Sequence, residues 1–312
     1  MEHVGTTGTR RPQGSGGAPS RTPGVMLAVV LLAVLGAALP LSWYLGFLPV
    51  PLLLLGMAAV AGAASLFPSE RPHLRTWAFY IGGIYLYDLL RAFADETPLA
   101  VNLFVAVDIE TKLFGVAPTV WLQERLFSFG SPSVLDFLSA GIHWSFFVVP
   151  HAAAVAVYLL RPRQFARYAL LIVTTFYLGL VLYFLLPTAP PWLAAEWGFL
   201  PPVARIIDFV GGQVDPVAYS RLYAALGAPN AVAAMPSVHM AVTFSVYLFC
   251  RNAHRWVARG ALLYSASMAF ALVYLGEHYL IDVLAGVLIA LTAQYVVRWT
   301  VRMQEQRAAA KS

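Results

Sequence analysis

Apolar residues run in blocks of about twenty along most of this chain, and charged residues collect between the blocks. From Thr22 to Ser69 no residue is charged. A membrane-crossing helix needs ~20 apolar residues, since each advances ~1.5 Å against ~30 Å of hydrocarbon. That stretch predicts two spans, at 25–45 and 48–67, turning near Pro49 and Pro51. A cleaved signal peptide would carry an apolar core of only ~7–15 residues, so a retained span is the better reading. Further blocks predict spans at 76–94, 134–158, 166–186, 237–250, 260–276 and 279–298, eight in all. The expected fold class is an all-α polytopic membrane protein.

Residues 1–24 are rich in Gly, Thr, Ser and Pro and read as a disordered tail. The expected organisation is that tail, two N-terminal helices over 25–67, a membrane core over 76–301 and a second tail over 302–312. Two outer segments, 95–133 and 187–236, are too long for structureless loops. Their aromatic and apolar residues, including Phe104, Phe114, Trp121, Trp192 and Trp197, suit short helices lying on the membrane surface.

Charge fixes the expected orientation. Cytoplasmic segments are enriched in Lys and Arg. With the N-terminus inside, segments 1–24, 68–75, 159–167, 251–259 and 298–312 hold 15 of the 20 Lys and Arg residues. They hold only three of the 15 acids, Glu2, Glu70 and Glu305. Both termini are therefore expected in the cytoplasm. The 18 Arg against 2 Lys point to a GC-rich genome and a bacterial plasma membrane.

Composition narrows the function classes. The chain is 60% hydrophobic and 11% charged, with a mean hydropathy of +0.71, where a soluble domain carries about 25% charge. Cys250 is the only cysteine, so no disulfide scaffold is possible. No zinc-finger spacing and no Walker-type glycine loop occurs. The pI near 9.4 does not indicate nucleic acid, because the basic residues are scattered between apolar runs. No internal repeat of the kind transporters use is visible.

Ionisable residues inside spans are costly and tend to be functional. His239 opens the span at 237–250, and His278 and Asp282 open the last one. Four residues apart, His278 and Asp282 would share a helix face, with the carboxylate holding a proton on one imidazole nitrogen and leaving the other free to attack. His239 would supply a second imidazole to protonate a leaving oxygen. Pro236 suits a first helical position, and the amides beyond it with the Ser237 hydroxyl would form an anion site. The helix after Pro236 is short, so its start should sit below the outer membrane surface, within reach of a lipid headgroup. The bland readings are that His143 and His151 make helix–helix hydrogen bonds, that Asp88 and Arg91 pair with each other, and that Pro187 to Trp192 is a helix stop. Two histidines and a carboxylate also match a non-haem iron triad.

Pro236-Ser237-Val238-His239 resembles the P-S-x-H motif of the type-2 phosphatidic acid phosphatase superfamily. Glu277-His278-Tyr279-Leu280-Ile281-Asp282, followed by Gly286, resembles its H-x-x-x-D motif. Leu186-Pro187-Thr188-Ala189-Pro190-Pro191-Trp192 is similar to a segment of the inositol phosphorylceramide synthase branch. The superfamily's K-x-x-x-x-x-x-R-P motif is absent, as is its Ser-Arg pair ahead of the second histidine, where Ala271 and Leu272 stand. The resemblance implies a six-helix phosphatase-like core behind the two N-terminal helices. It implies a lipid phosphotransferase or phosphatase at the extracytoplasmic face, working without a metal or other cofactor. His278 would carry the phosphoryl group as a phosphohistidine, Asp282 would orient it and His239 would protonate the departing oxygen. Ser237, with Arg221 or Arg91, would bind phosphate, and Pro190, Pro191 and Trp192 would line the pocket. The expected partners are a phospholipid or isoprenoid-phosphate substrate and membrane lipids, with no nucleic acid. The alternative is a catalytically silent transporter or scaffold.

Overall fold

A computed structural model describes residues 72–91, 99–102, 104–129, 131–217, 219–220 and 232–310. Eleven helices are traced here: α1 (Pro72–Arg91), α2 (Phe104–Phe114), α3 (Pro118–Leu126), α4 (Val134–Ser145), α5 (Val149–Leu160), α6 (Pro162–Leu185), α7 (Pro191–Glu196), α8 (Ile206–Val214), α9 (Val238–Cys250), α10 (Arg255–Tyr274) and α11 (Leu280–Ala309). Among the described residues there is no strand, only isolated bridges linking Asn102, Thr188 and Ala233.

The α9 helix lies at the centre, packed against α6, α10 and α11, while α1 and α5 pack on α6 and α4 on α10. The largest buried cluster joins these helices through Tyr168, Phe176, Leu180, Val242, Met268 and Leu272. Thr175 of α6 and Ser245 of α9 share a buried hydroxyl hydrogen bond of 2.9 Å. In a membrane, where apolar side chains lose little by facing lipid, such close packing and polar pairing carry helix association.

Three helices, α6, α10 and α11, are long and apolar enough to cross a membrane. The pair α4 and α5, bent by 50°, makes a fourth if read as one broken span. The eight crossings expected from hydropathy are therefore not reached among the described residues. The spans placed at 25–45 and 48–67 fall outside those residues. The helix at 72–91 exists, but its tyrosines and charged ends leave it below the apolarity of a span. The run at 134–158 breaks at the turn of Phe146 to Val148. The 13 residues of α9 cover ~20 Å, which is short of the hydrocarbon thickness.

The start of α9 is drawn deep into the bundle by two glycines. A Cβ on Gly179 would lie 2.4 Å from the Val238 side chain, and one on Gly286 would lie 2.4 Å from the Ser237 carbonyl oxygen. Gly286 thus lets the first turns of α9 and α11 touch backbone to backbone, which also permits the Ser237 amide to donate to the Asp282 carbonyl at 3.0 Å. Gly286→Ala should force these helices apart, at a cost of about 1–3 kcal/mol. Thermal unfolding in detergent should show the loss, and the ~1 Å displacement should lower turnover by up to ~10²-fold.

Candidate active site

His278 stands in the turn between α10 and α11, and that turn is strapped down from several sides. Gly276, at φ +81, has its carbonyl bound by the Trp192 amide at 3.2 Å, and the Ile206 amide donates to Leu275 at 3.2 Å. A Cβ on Gly276 would lie 2.8 Å from the Ala204 carbonyl oxygen, so this position combines a left-handed backbone with a close approach that favours glycine. Buried Gln123 donates to the carbonyls of Ala204 at 2.9 Å and Tyr274 at 2.8 Å. Its own carbonyl accepts from the Ala204 amide at 2.8 Å. Arg205 donates through Nε to Glu277 at 2.8 Å and lies over the Trp192 ring, 4.7 Å from its centroid.

Within that frame the His278 amide donates to Leu272 at 3.1 Å, and the imidazole is 5% exposed. Its Nδ1 lies 3.6 Å from Oδ2 of Asp282, and Nδ1 is buried without a hydrogen-bond partner. Nδ1 is thus turned toward the carboxylate, which leaves Nε2 as the nitrogen for a substrate. The expectation of a shared helix face is corrected here. Helix α11 begins at Leu280, so His278 precedes it, and Asp282 reaches back instead. Its Oδ2 accepts the Tyr279 amide at 2.9 Å, satisfying one of the unpaired donors of a helix start.

His239, in the first turn of α9, has its ring 5.7 Å from that of His278. The Pro236 expectation is also corrected: the first helical residue is Val238, and Ser237 is the N-cap, its hydroxyl accepting the Met240 amide at 3.3 Å. Ser237 is fully buried, so the capping bond occupies one lone pair of the hydroxyl proposed for phosphate. Pro190, Pro191 and Trp192 form the lead-in and first residues of α7, beside the His278 turn. The Thr188 amide donates to Val232 and the Ala234 amide to Thr188, which ties this segment to the approach to α9.

Several residues stand around the site in arrangements the sequence did not indicate. His143 of α4, read as a helix–helix bond, instead lies with its ring 4.6 Å from His239, and both its nitrogens are buried without a partner. His151 does make such a bond, with the Tyr80 hydroxyl at 3.0 Å. Glu277 and Arg205 pair across 72 residues of sequence. Arg91 pairs with Asp88 at 3.8 Å. Arg221 lies outside the described residues. Among the described residues no group of three His, Cys, Asp or Glu side chains could hold a metal ion.

An apolar cleft of about 500 Å³ opens beside this site, lined by Phe114, Trp121, Leu122, Phe270, Val273 and Leu280 among others. Leu280 is two residues from both His278 and Asp282.

Comparison with known proteins fits this arrangement. A model of the PAP2 superfamily matches residues 107–296, a range holding both histidines, the aspartate and the Pro190–Trp192 segment. The chain belongs to the PAP2 superfamily. Within it, the chain is similar to inositol phosphorylceramide synthase-like proteins. It is 26% identical over 232 residues to phosphoinositol dihydroceramide synthase of Bacteroides thetaiotaomicron, covering 72% of this chain and 76% of that protein. It is 26% identical over 223 residues to inositol phosphorylceramide synthase of Candida albicans, covering 66% of this chain and 44% of that longer protein. No solved structure matches the chain. As a PAP2 superfamily member with several long apolar helices, the protein is an integral membrane protein that handles lipid phosphate.

Proposed function

We propose that this PAP2 superfamily protein is a lipid phosphotransferase that moves a phosphoryl group, with its headgroup, from a phospholipid to an alcohol such as that of a ceramide. The observation that carries the reading is the placement of His278 Nδ1 3.6 Å from a fully buried carboxylate, with a second imidazole close by. The names of the two synthase relatives favour transfer over hydrolysis.

In the first step His278 Nε2 attacks phosphorus, forming a P–N bond while the bond to the donor's lipid oxygen breaks. His239 gives that oxygen its proton. In the second step the acceptor hydroxyl attacks phosphorus, loses its proton to His239, and the P–N bond breaks. Asp282 keeps the proton on Nδ1 and balances the positive charge that the ring gains. Ser237 and the amides at the start of α9 suit the phosphate oxygens, with Arg91 the one of the two expected cations that lies among the described residues. Arg205 is engaged by Glu277 and Trp192 and is better read as holding the turn. The cleft beside Leu280 suits a lipid chain. The charge pattern supports an active site on the extracytoplasmic face.

Purified protein in sealed vesicles, supplied with radiolabelled phosphatidylinositol and ceramide, should yield a labelled phosphorylceramide on thin-layer chromatography. The yield should require donor in the leaflet corresponding to the outer face and should survive exhaustive chelation. Label released only as water-soluble phosphate ester would make the protein a hydrolase. No turnover of any phospholipid would return the silent transporter or scaffold, and loss of activity on chelation, restored by ferrous, manganese or zinc ions, would make the three residues metal ligands.

A further inference from the structure

The α2 helix lies in the outer segment, and apart from Phe114 at its end, which lines the apolar cleft, it has no role in the site as built above. Most of its surface is open, including Asp108 and Lys112, but Glu110 is completely buried. A carboxyl group is not buried without compensation, and its partner here is the start of α11. Oε1 of Glu110 accepts the Ile281 amide at 3.0 Å. Two carboxyl groups from different elements thus divide the free amides of one helix end: Asp282 takes Tyr279 and Glu110 takes Ile281. Both amides lie between His278 and Asp282 in the chain.

Each carboxyl group keeps one buried oxygen with no hydrogen-bond partner, Oε2 of Glu110 and Oδ1 of Asp282. Glu110 lies close enough to Asp282 to feel its charge. The titratable groups facing Glu110 are Asp282 from α11 and Tyr279 from the turn before it, and neither is a cation. A helix cap needs only an acceptor, which an amide or a hydroxyl would provide on cheaper desolvation terms.

We propose that Glu110 is a positioning residue for the reaction, fixing Asp282 and His278 through the first turn of α11 and placing a second carboxyl group near Asp282. The inference rests on the reading of His278 as the group that takes phosphorus. When His278 forms its P–N bond the ring becomes cationic, and Asp282 is the first counter-charge to it. An ionised Glu110 behind Asp282 strengthens that counter-charge, whereas a protonated one leaves Asp282 to act alone. Burial pushes the Glu110 carboxyl up to about 7, with the Asp282 charge adding to the rise and the Ile281 and Leu280 amides opposing it. Its proton exchanges with water, so no covalent step passes through it.

The test uses the full chain in lipid nanodiscs and two readouts. The first is the carbon-13 carboxyl titration of Glu110 by NMR. Its midpoint should lie near 7 and should fall in Asp282→Asn, which removes the like charge. A Glu110 midpoint in the ordinary carboxylate range, or one indifferent to Asp282→Asn, overturns the proposal without any activity measurement. The second is the pH profile of turnover. In the native protein turnover should climb through the Glu110 midpoint by up to about tenfold, the equivalent of one pKa unit of interaction. Glu110→Gln keeps an acceptor for the Ile281 amide but cannot ionise, so its profile should lack that climb while its unfolding temperature stays close to native. A Glu110→Gln profile superimposable on the native one means the residue is only a cap and overturns the proposal. If Glu110→Gln fails to fold, the NMR titration of the native protein and of Asp282→Asn decides alone. If His278→Ala retains turnover, the phosphohistidine reading fails instead, and the NMR result separates the two failures.

Discussion

His278→Ala should abolish turnover, with a loss of at least ~10³-fold, as expected when a nucleophile is removed from a group of residues that act together. The same substitution should abolish labelling of the protein by a radiolabelled phospholipid. In the native protein, rapid acid-free quenching should trap label on His278 in a bond that is stable to alkali and labile to acid, as a phosphoramidate is. The side chain is 6% exposed and its Nδ1 makes no hydrogen bond. Its removal should therefore leave the strapped turn in place, because the straps run through the backbone of Leu275, Gly276 and the His278 amide itself. Gel filtration and thermal unfolding should both be close to native. Label found on Ser237 instead would move the nucleophile to α9 and sink the assignment of His278.

Asp282→Asn should cost roughly 10²–10⁴-fold in turnover, the usual scale of a proton-managing side chain. The structure makes this substitution informative. Asparagine can keep its carbonyl oxygen where Oδ2 now accepts the Tyr279 amide, so the helix start is preserved. The oxygen facing His278 Nδ1 remains, but it is neutral and cannot balance the charge that builds on the ring. The amide nitrogen falls where Oδ1 has no partner, a modest stability cost of about 1–3 kcal/mol for a buried unpaired donor. Turnover within about tenfold of native, with the fold intact, would show that Asp282 caps the helix and has no orienting role. His143 provides an internal comparison, since it sits against His239 with both ring nitrogens unpartnered, whereas His278 Nδ1 lies 3.6 Å from the Asp282 carboxylate.

Sequence alone determined the class of the protein and the pair of motifs. Long uncharged runs leave no solution but membrane helices, because backbone groups in hydrocarbon must be paired within the segment. Pro236 to His239 and His278 to Asp282 were legible because motif spacing is local and reports directly on chemistry. Element boundaries were less legible. Hydropathy merged α4 and α5 into one span, since it measures apolarity and is blind to a backbone that turns at Phe146, and the four-residue spacing gave His278 and Asp282 a shared helix face although α11 begins only at Leu280. What only the tertiary structure decided is the company the motif residues keep. His143, Gln123, Arg205 and Glu110 come from four separate elements, at sequence distances where no periodicity applies, and each reached the site through packing. Gly286 is the clearest case. In the sequence it is one small residue after a motif, and only the approach of the Ser237 carbonyl to 2.4 Å from its absent side chain shows why the two histidine-bearing segments can meet.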